Sequence, residues 1–157
     1  MPATNVRSQW KSGSLAFQDA SGNEVVRIAS DGVYVKQPAP TAETGVATIT
    51  AADILTKIVT ISHTTGATVA LTLDTGTAMD TALTNALGTD IAIEWSVINT
   101  SAAAADTATV TASSGHTLVG LGVVASAHAS TGVLYGNAAR FLSRRTAANT
   151  WITYRIA

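Results

Sequence analysis

Three histidines, His63, His116 and His128, are the side chains best suited to hold a metal or move a proton. A metal site needs two or three such rings to converge, usually with carboxylates. No two of them stand at the i,i+4 spacing of a helix face or the i,i+2 spacing of a strand face, and each is flanked by Ser, Thr, Gly or Ala. They are read as solvated or hydrogen-bonded rings, with a metal ligand at a subunit axis as the alternative. Ser114-Gly115-His116 sets a hydroxyl near an imidazole, but there is no Gly-x-Ser-x-Gly elbow and no acid placed to orient the ring. Asp53, Asp74, Asp80, Asp90 and Glu94 could supply a carboxylate pair for glycoside hydrolysis. The four aspartates fit helix starts, turns or strand edges, and Glu94 fits the outward face of a strand. Gly120-Leu121-Gly122 lacks the third glycine and the strand-to-helix setting of a phosphate loop. The expectation is no catalytic site, no metal and no cofactor.

Two other groups suggest contact rather than chemistry. Arg140, Arg144, Arg145 and Arg155 are interleaved with Phe141, Trp151 and Tyr154, a pattern that could serve as a nucleic-acid platform. A formal net charge of -1 favours a different reading. In that reading the rings point inward and the arginines make rim or intersubunit ion pairs, with Arg140, Arg144 and Arg145 at an oligomer interface. Trp10 lies in a polar N-terminal stretch, where a large apolar ring needs a docking pocket. With Leu15, Phe17 and Val25 it is assigned to binding a partner.

The elements that must position these groups are mostly strands. Ser14–Gln18 and Glu24–Ile28 flank the turn Asp19-Ala20-Ser21-Gly22-Asn23, and Asp31-Gly32 turns the chain into Val33-Tyr34-Val35. Residues 1–37 therefore read as an N-terminal β-hairpin arm, too small to bury a core alone. Residues 38–45, with Pro38 and Pro40, read as a linker, and 46–157 as the body. In the body Thr50 caps a short helix running to Ile58, with Asp53 in its first turn and Ile54, Leu55 and Ile58 on one face. Val69, Leu71 and Leu73 alternate on a strand, and Asp74–Thr77 lead into a second helix from Ala78 to Leu87. Ile91, Ile93, Trp95 and Val97 share a strand face. Shorter strands follow, among them Val133–Tyr135, and a closing hairpin joins Phe141–Arg145 to Trp151–Ile156. The fold expected is all-β: an antiparallel β-sandwich or jelly-roll-like body with two short helices, preceded by the small arm.

Composition agrees with an assembling protein. The 157 residues are 46% apolar and only 12% charged, and about a third are Ala or Thr. Small uncharged side chains suit surfaces that are buried against neighbours. Zero cysteines exclude disulfides, thiolate metal sites and cysteine nucleophiles. The polar start shows no secretory h-region, and no apolar run is long enough to span a bilayer, so the chain is expected to be made in a cytosol.

Taken in order, SGSLAFQDASGNEVVRI, TAADILTKIVT, TVALTLDTGTAMDTAL, DIAIEWSVINTSAAA and NTWITYRIA resemble a family of bacteriophage capsid decoration (cement) or head-surface structural proteins. The resemblance covers most of the chain and rests on packing motifs. It implies a homotrimer capping threefold or quasi-threefold sites of an icosahedral head, with the major capsid protein as partner. It also implies a virion location after assembly in the bacterial cytoplasm, without nucleic acid or membrane. The alternative expectation is a fibre or spike head that binds a host-surface glycan or protein through loops near Ser113–His116 and Ala125–Thr131.

Overall fold

The computed structural model describes residues 7–11, 13–19, 21–83, 90–127 and 137–157. The chain divides into two compact units, Met1–Gln37 and Pro38–Ala157. The first is a four-stranded meander in the order β1 (Arg7–Lys11), β2 (Ser14–Gln18), β3 (Glu24–Ala29) and β4 (Gly32–Val35), antiparallel throughout. Trp10 thus lies in a strand, not in a tail. The polar neighbours Ser8, Gln9 and Lys11 hide that strand from any apolar pattern, and its pairing to β2 creates it. Asp19 closes the β2–β3 turn by accepting from the backbone N–H groups of Ser21 and Asn23, both at 2.9 Å.

The second unit is all-β with two short helices. Its first strand, β5 (Thr41–Glu43), corrects the reading of 38–45 as a linker. Pro38 and Pro40 precede it, and β5 lies at a sheet edge, where proline denies no ladder bond. Then come β6 (Ala47–Ile49), α1 (Ala51–Leu55), β7 (Ile58–Ile61), β8 (Val69–Leu73), α2 (Gly76–Ala82), β9 (Ala92–Asn99), β10 (Ala108–Thr111), β11 (His116–Val119), β12 (Val123–Val124), β13 (Ala138–Ala147) and β14 (Thr150–Arg155). One sheet has the order β11-β14-β13-β9-β7-β5 and the other β12-β10-β8-β6. The expected strand Val133–Tyr135 and the expected end of the second helix, beyond residue 83, lie outside the described residues.

The pairing corrects the expected antiparallel architecture. β5 and β9 both run parallel to β7, β6 and β10 both run parallel to β8, and β11 runs parallel to β14. The cause is the path of the chain. From β5 to β12 successive strands alternate between the two sheets. A strand that leaves one sheet, crosses to the other and returns points the same way as its predecessor. Hairpins inside one sheet would give antiparallel neighbours, and among the described body strands only β13–β14 is such a hairpin.

Buried side chains from both sheets and both helices form one cluster. Trp95 and Phe141, on neighbouring strands, stack with ring centroids 4.9 Å apart. Fully burying rings of this size contributes about 2–3 kcal/mol each. The helix caps are local and follow the sequence. Thr50 Oγ1 accepts from the Asp53 N–H, and Asp53 Oδ2 accepts from the Thr50 N–H at 2.8 Å, which makes a capping box. α1 is shorter than expected because Lys57 takes a left-handed φ of 68° and Ile58 already belongs to β7. Leu55 is consequently exposed, while Ile54 alone of that trio is fully buried.

Candidate interaction surfaces

In the N-terminal sheet, directly opposed residues share a face. The pairings place Trp10, Leu15, Ile28 and Val33 in one row across all four strands. Ser8, Phe17, Val26 and Val35 form the adjoining row on the same face. Seven of these eight side chains are apolar. Trp10 is 76% exposed, and Ile28, Val33 and Val35 are exposed as well. Charged groups occupy the opposite face, where Arg27 pairs with Glu24 at 2.6 Å beside Tyr34.

Val25 stands outside these paired rows. The β2–β3 register shifts between Phe17 and Gln18, so Val25 is the extra residue of a bulge and opposes nothing in β2. Val26 takes the place beside Phe17. The strand alternation of Val26, Ile28, Val33 and Val35 carried this signal, but reading it required the bulge.

The four arginines do not act as one basic cluster. Arg140 pairs with Glu94 and Arg144 with Asp90, both on the outer side of the six-stranded sheet and partly exposed. Arg145 points inward, and its guanidinium grips Asp80 through two bonds of 2.8 Å. Only 9% of the Arg145 side chain and 11% of the Asp80 side chain are exposed. Its charge is therefore met within the chain. Arg155 donates to the carbonyls of Leu121 and Val123 at 3.0 and 2.5 Å.

Asp80 also accepts from Trp151 Nε1 at 2.8 Å and from the Asn149 N–H at 2.7 Å. The side-chain hydrogen bond from Arg145 is the largest influence holding its carboxyl well below the usual carboxylate range. One carboxylate thereby ties α2 to the β13–β14 hairpin. The other acids likewise have partners: Asp53 in the capping box, Asp74 accepting from the Thr75 N–H, Asp90 and Glu94 in the ion pairs.

His116 is buried, with Nδ1 3.0 Å from the Asp74 carbonyl and Nε2 2.7 Å from Thr153 Oγ1. Thr153 Oγ1 is 2.7 Å from Ser143 Oγ, which accepts from Trp95 Nε1 at 2.9 Å. An indole can only donate and a carbonyl can only accept, so with a neutral imidazole the direction of the whole chain is determined. Trp95 donates to Ser143, Ser143 to Thr153, Thr153 to Nε2, and Nδ1–H to Asp74. Both ring nitrogens are engaged by groups other than Ser114, so His116 does not serve that hydroxyl as a base.

A proton on Nε2 would reverse the two hydroxyls and strand one of them. Burial pushes the His116 pKa down, with the Asp74 carbonyl opposing. In the unfolded chain the ring titrates near ~6.5. As pH falls below that value the unfolded state binds a proton that the folded state refuses, so stability is lost. We expect the urea midpoint to fall between about pH 7 and 5, and His116→Gln to flatten that slope. An unchanged slope in the variant would remove His116 as its source.

His63 is also buried, with Nδ1 3.0 Å from Thr65 Oγ1 and Nε2 3.1 Å from the Thr107 carbonyl. His128 lies outside the described residues. Among the described residues no three His, Asp or Glu side chains group in a way that could hold a metal ion. Gly76 N–H donates to the Ser114 carbonyl, which packs the Ser113–His116 loop onto the start of α2. Most of the Ala125–Thr131 loop lies outside the described residues. No family model matches the chain, and neither the curated proteins nor the solved structures contain a match to it.

Proposed function

We propose that this chain is a non-enzymatic structural protein of a bacteriophage virion, a homotrimeric decoration protein that binds the major capsid protein at threefold or quasi-threefold sites. The two body sheets are read as the layers of a sandwich around their common core. The observation that carries the reading is the apolar face of the N-terminal sheet. Four of the seven apolar side chains on that face, Trp10, Ile28, Val33 and Val35, are exposed side by side, the kind of patch that marks a contact site, and Trp10 is well placed to be the anchor of a contact. Three such arms on one trimer would act at high effective concentration, so each contact can be weak. The resemblance to head-surface proteins supplies the identity of the partner.

The test uses the full chain carrying Trp10→Ser and Val33→Asp, two positions exposed in the folded protein. Retention on capsid shells of the corresponding phage is expected to drop at least ~100-fold through lost multivalency. The melting curve of the body should not move. Undiminished retention would overturn the reading.

A further inference from the structure

The two sheets of the body end together at both sides. At one side β5 passes to β6 through residues 44–46, and at the other β11 passes to β12 through residues 120–122. Each edge therefore offers one strand from each sheet. Six large apolar side chains of the body are exposed among the described residues, and four of them lie on these edges: Val46 on the first, Val119, Leu121 and Val123 on the second. Val46 and Leu121 are 77% and 75% exposed.

We propose that the body closes into a ring, the β11–β12 edge of one copy docking on the β5–β6 edge of the next. The inference deepens the self-assembly part of the reading above and does not depend on its capsid part. Strand direction supports a second copy as the occupant. Following the pairings across the six-stranded sheet, β11, β14, β9, β7 and β5 all point one way and β13 alone is reversed. Rotation about an axis along the strands keeps these directions. It brings β11 beside β5 of the neighbour in parallel and β12 beside β6 in antiparallel, so both sheets continue together. An interface between two different patches of one chain closes into a ring when the rotation closes.

Charge and rigidity agree with this occupant. Residues 116–124 carry no Asp, Glu, Lys or Arg, and residues 41–49 carry only Glu43, which is half-buried. Strands with so few charges of their own invite pairing, since charges are the usual protection, and the charge that reaches the β12 edge is Arg155. The loop that presents Leu121 is already ordered. Arg155 holds the Leu121 and Val123 carbonyls, and Val110 N–H donates to the Gly122 carbonyl at 2.9 Å. A Cβ at Gly122 would sit 2.0 Å from the Val110 carbonyl oxygen, so the backbone fits only with glycine there. A held surface loses little entropy on docking.

The test is the solution mass of the full chain by size exclusion with light scattering. Wild type should form a closed oligomer, while Leu121→Glu and Val46→Glu should each run as a monomer of 16.0 kDa with unchanged circular dichroism. Leu121→Ser, which adds no charge, should weaken the same junction if the charged variant misfolds. Mixing the two glutamate variants should yield a species of two chains, because one intact edge of each kind remains. A monomeric wild type, oligomers insensitive to both substitutions, or a mixture that stays monomeric would each overturn the ring. Capsid retention of the same samples separates the readings: a ring that ignores capsid shells sinks the decoration reading and leaves this one standing.

Discussion

Asp80→Ala is expected to lower the unfolding free energy by about 3 kcal/mol, the range found when one partner of a buried ion pair is removed. The carboxylate receives four donors: two from Arg145, one from Trp151 Nε1 and one from the Asn149 N–H. Removing the carboxylate takes an acceptor from all four at once and the counter-charge from the Arg145 guanidinium. Asp80→Asn keeps the shape but loses the charge and one acceptor, so it should fall between wild type and alanine. The same carboxylate sets an acid limit. Its pKa is depressed in the folded state, so its contribution is complete above the unfolded value of ~3.9 and is lost as pH falls below it. Urea unfolding at pH 7 and at pH 3 measures both effects. A loss below about 1 kcal/mol at pH 7, the worth of an exposed pair, would show that the hub is dispensable.

That hub also marks what a sequence can reveal. Asp80 lies 65 residues before Arg145, and nothing local joins a helical aspartate to a strand arginine. Local features were readable. Thr50 and Asp53 sit three apart before an apolar pair, which is the capping-box pattern, and both bonds form. Val69, Leu71 and Leu73, and again Ile93, Trp95 and Val97, alternate in sequence and are buried in the core. The all-β class follows from those alternations. Sheet membership does not, because a turn between strands of one sheet and a crossing between two sheets use the same short polar connections. The parallel pairs were invisible for that reason. Among the candidate surface residues, the pairings place Trp10, Leu15 and Phe17 on one face, Val25 is the extra residue of a bulge, and Arg145 turns inward, none of which a local pattern reveals.

Gly76→Ala probes the same junction from the backbone, and two effects of opposite sign compete there. In an exposed helix interior, alanine stabilises by about 1 kcal/mol relative to glycine. At Gly76 a Cβ would lie 2.0 Å from the Asn149 carbonyl oxygen and 2.5 Å from that of Gly115. Both obstacles are backbone atoms, not the ends of flexible side chains. Asn149 sits in the β13–β14 turn at a left-handed φ of 55°, and its N–H is fixed by Asp80. Relief would require α2 to withdraw from the hairpin, stretching the four bonds to Asp80 and the Gly76–Ser114 bond together. Overpacking against a framework that cannot yield lies at the upper end of its usual cost, about 3 kcal/mol, so the clash outweighs the propensity. Because both substitutions loosen one junction, Gly76→Ala combined with Asp80→Ala should cost less than the sum of the two. Denaturant unfolding of the two single variants and the double variant measures the shortfall. Strict additivity would mean that α2 is held to the hairpin at two independent places, and a stabilised Gly76→Ala would mean that the helix does not press on the turn at all.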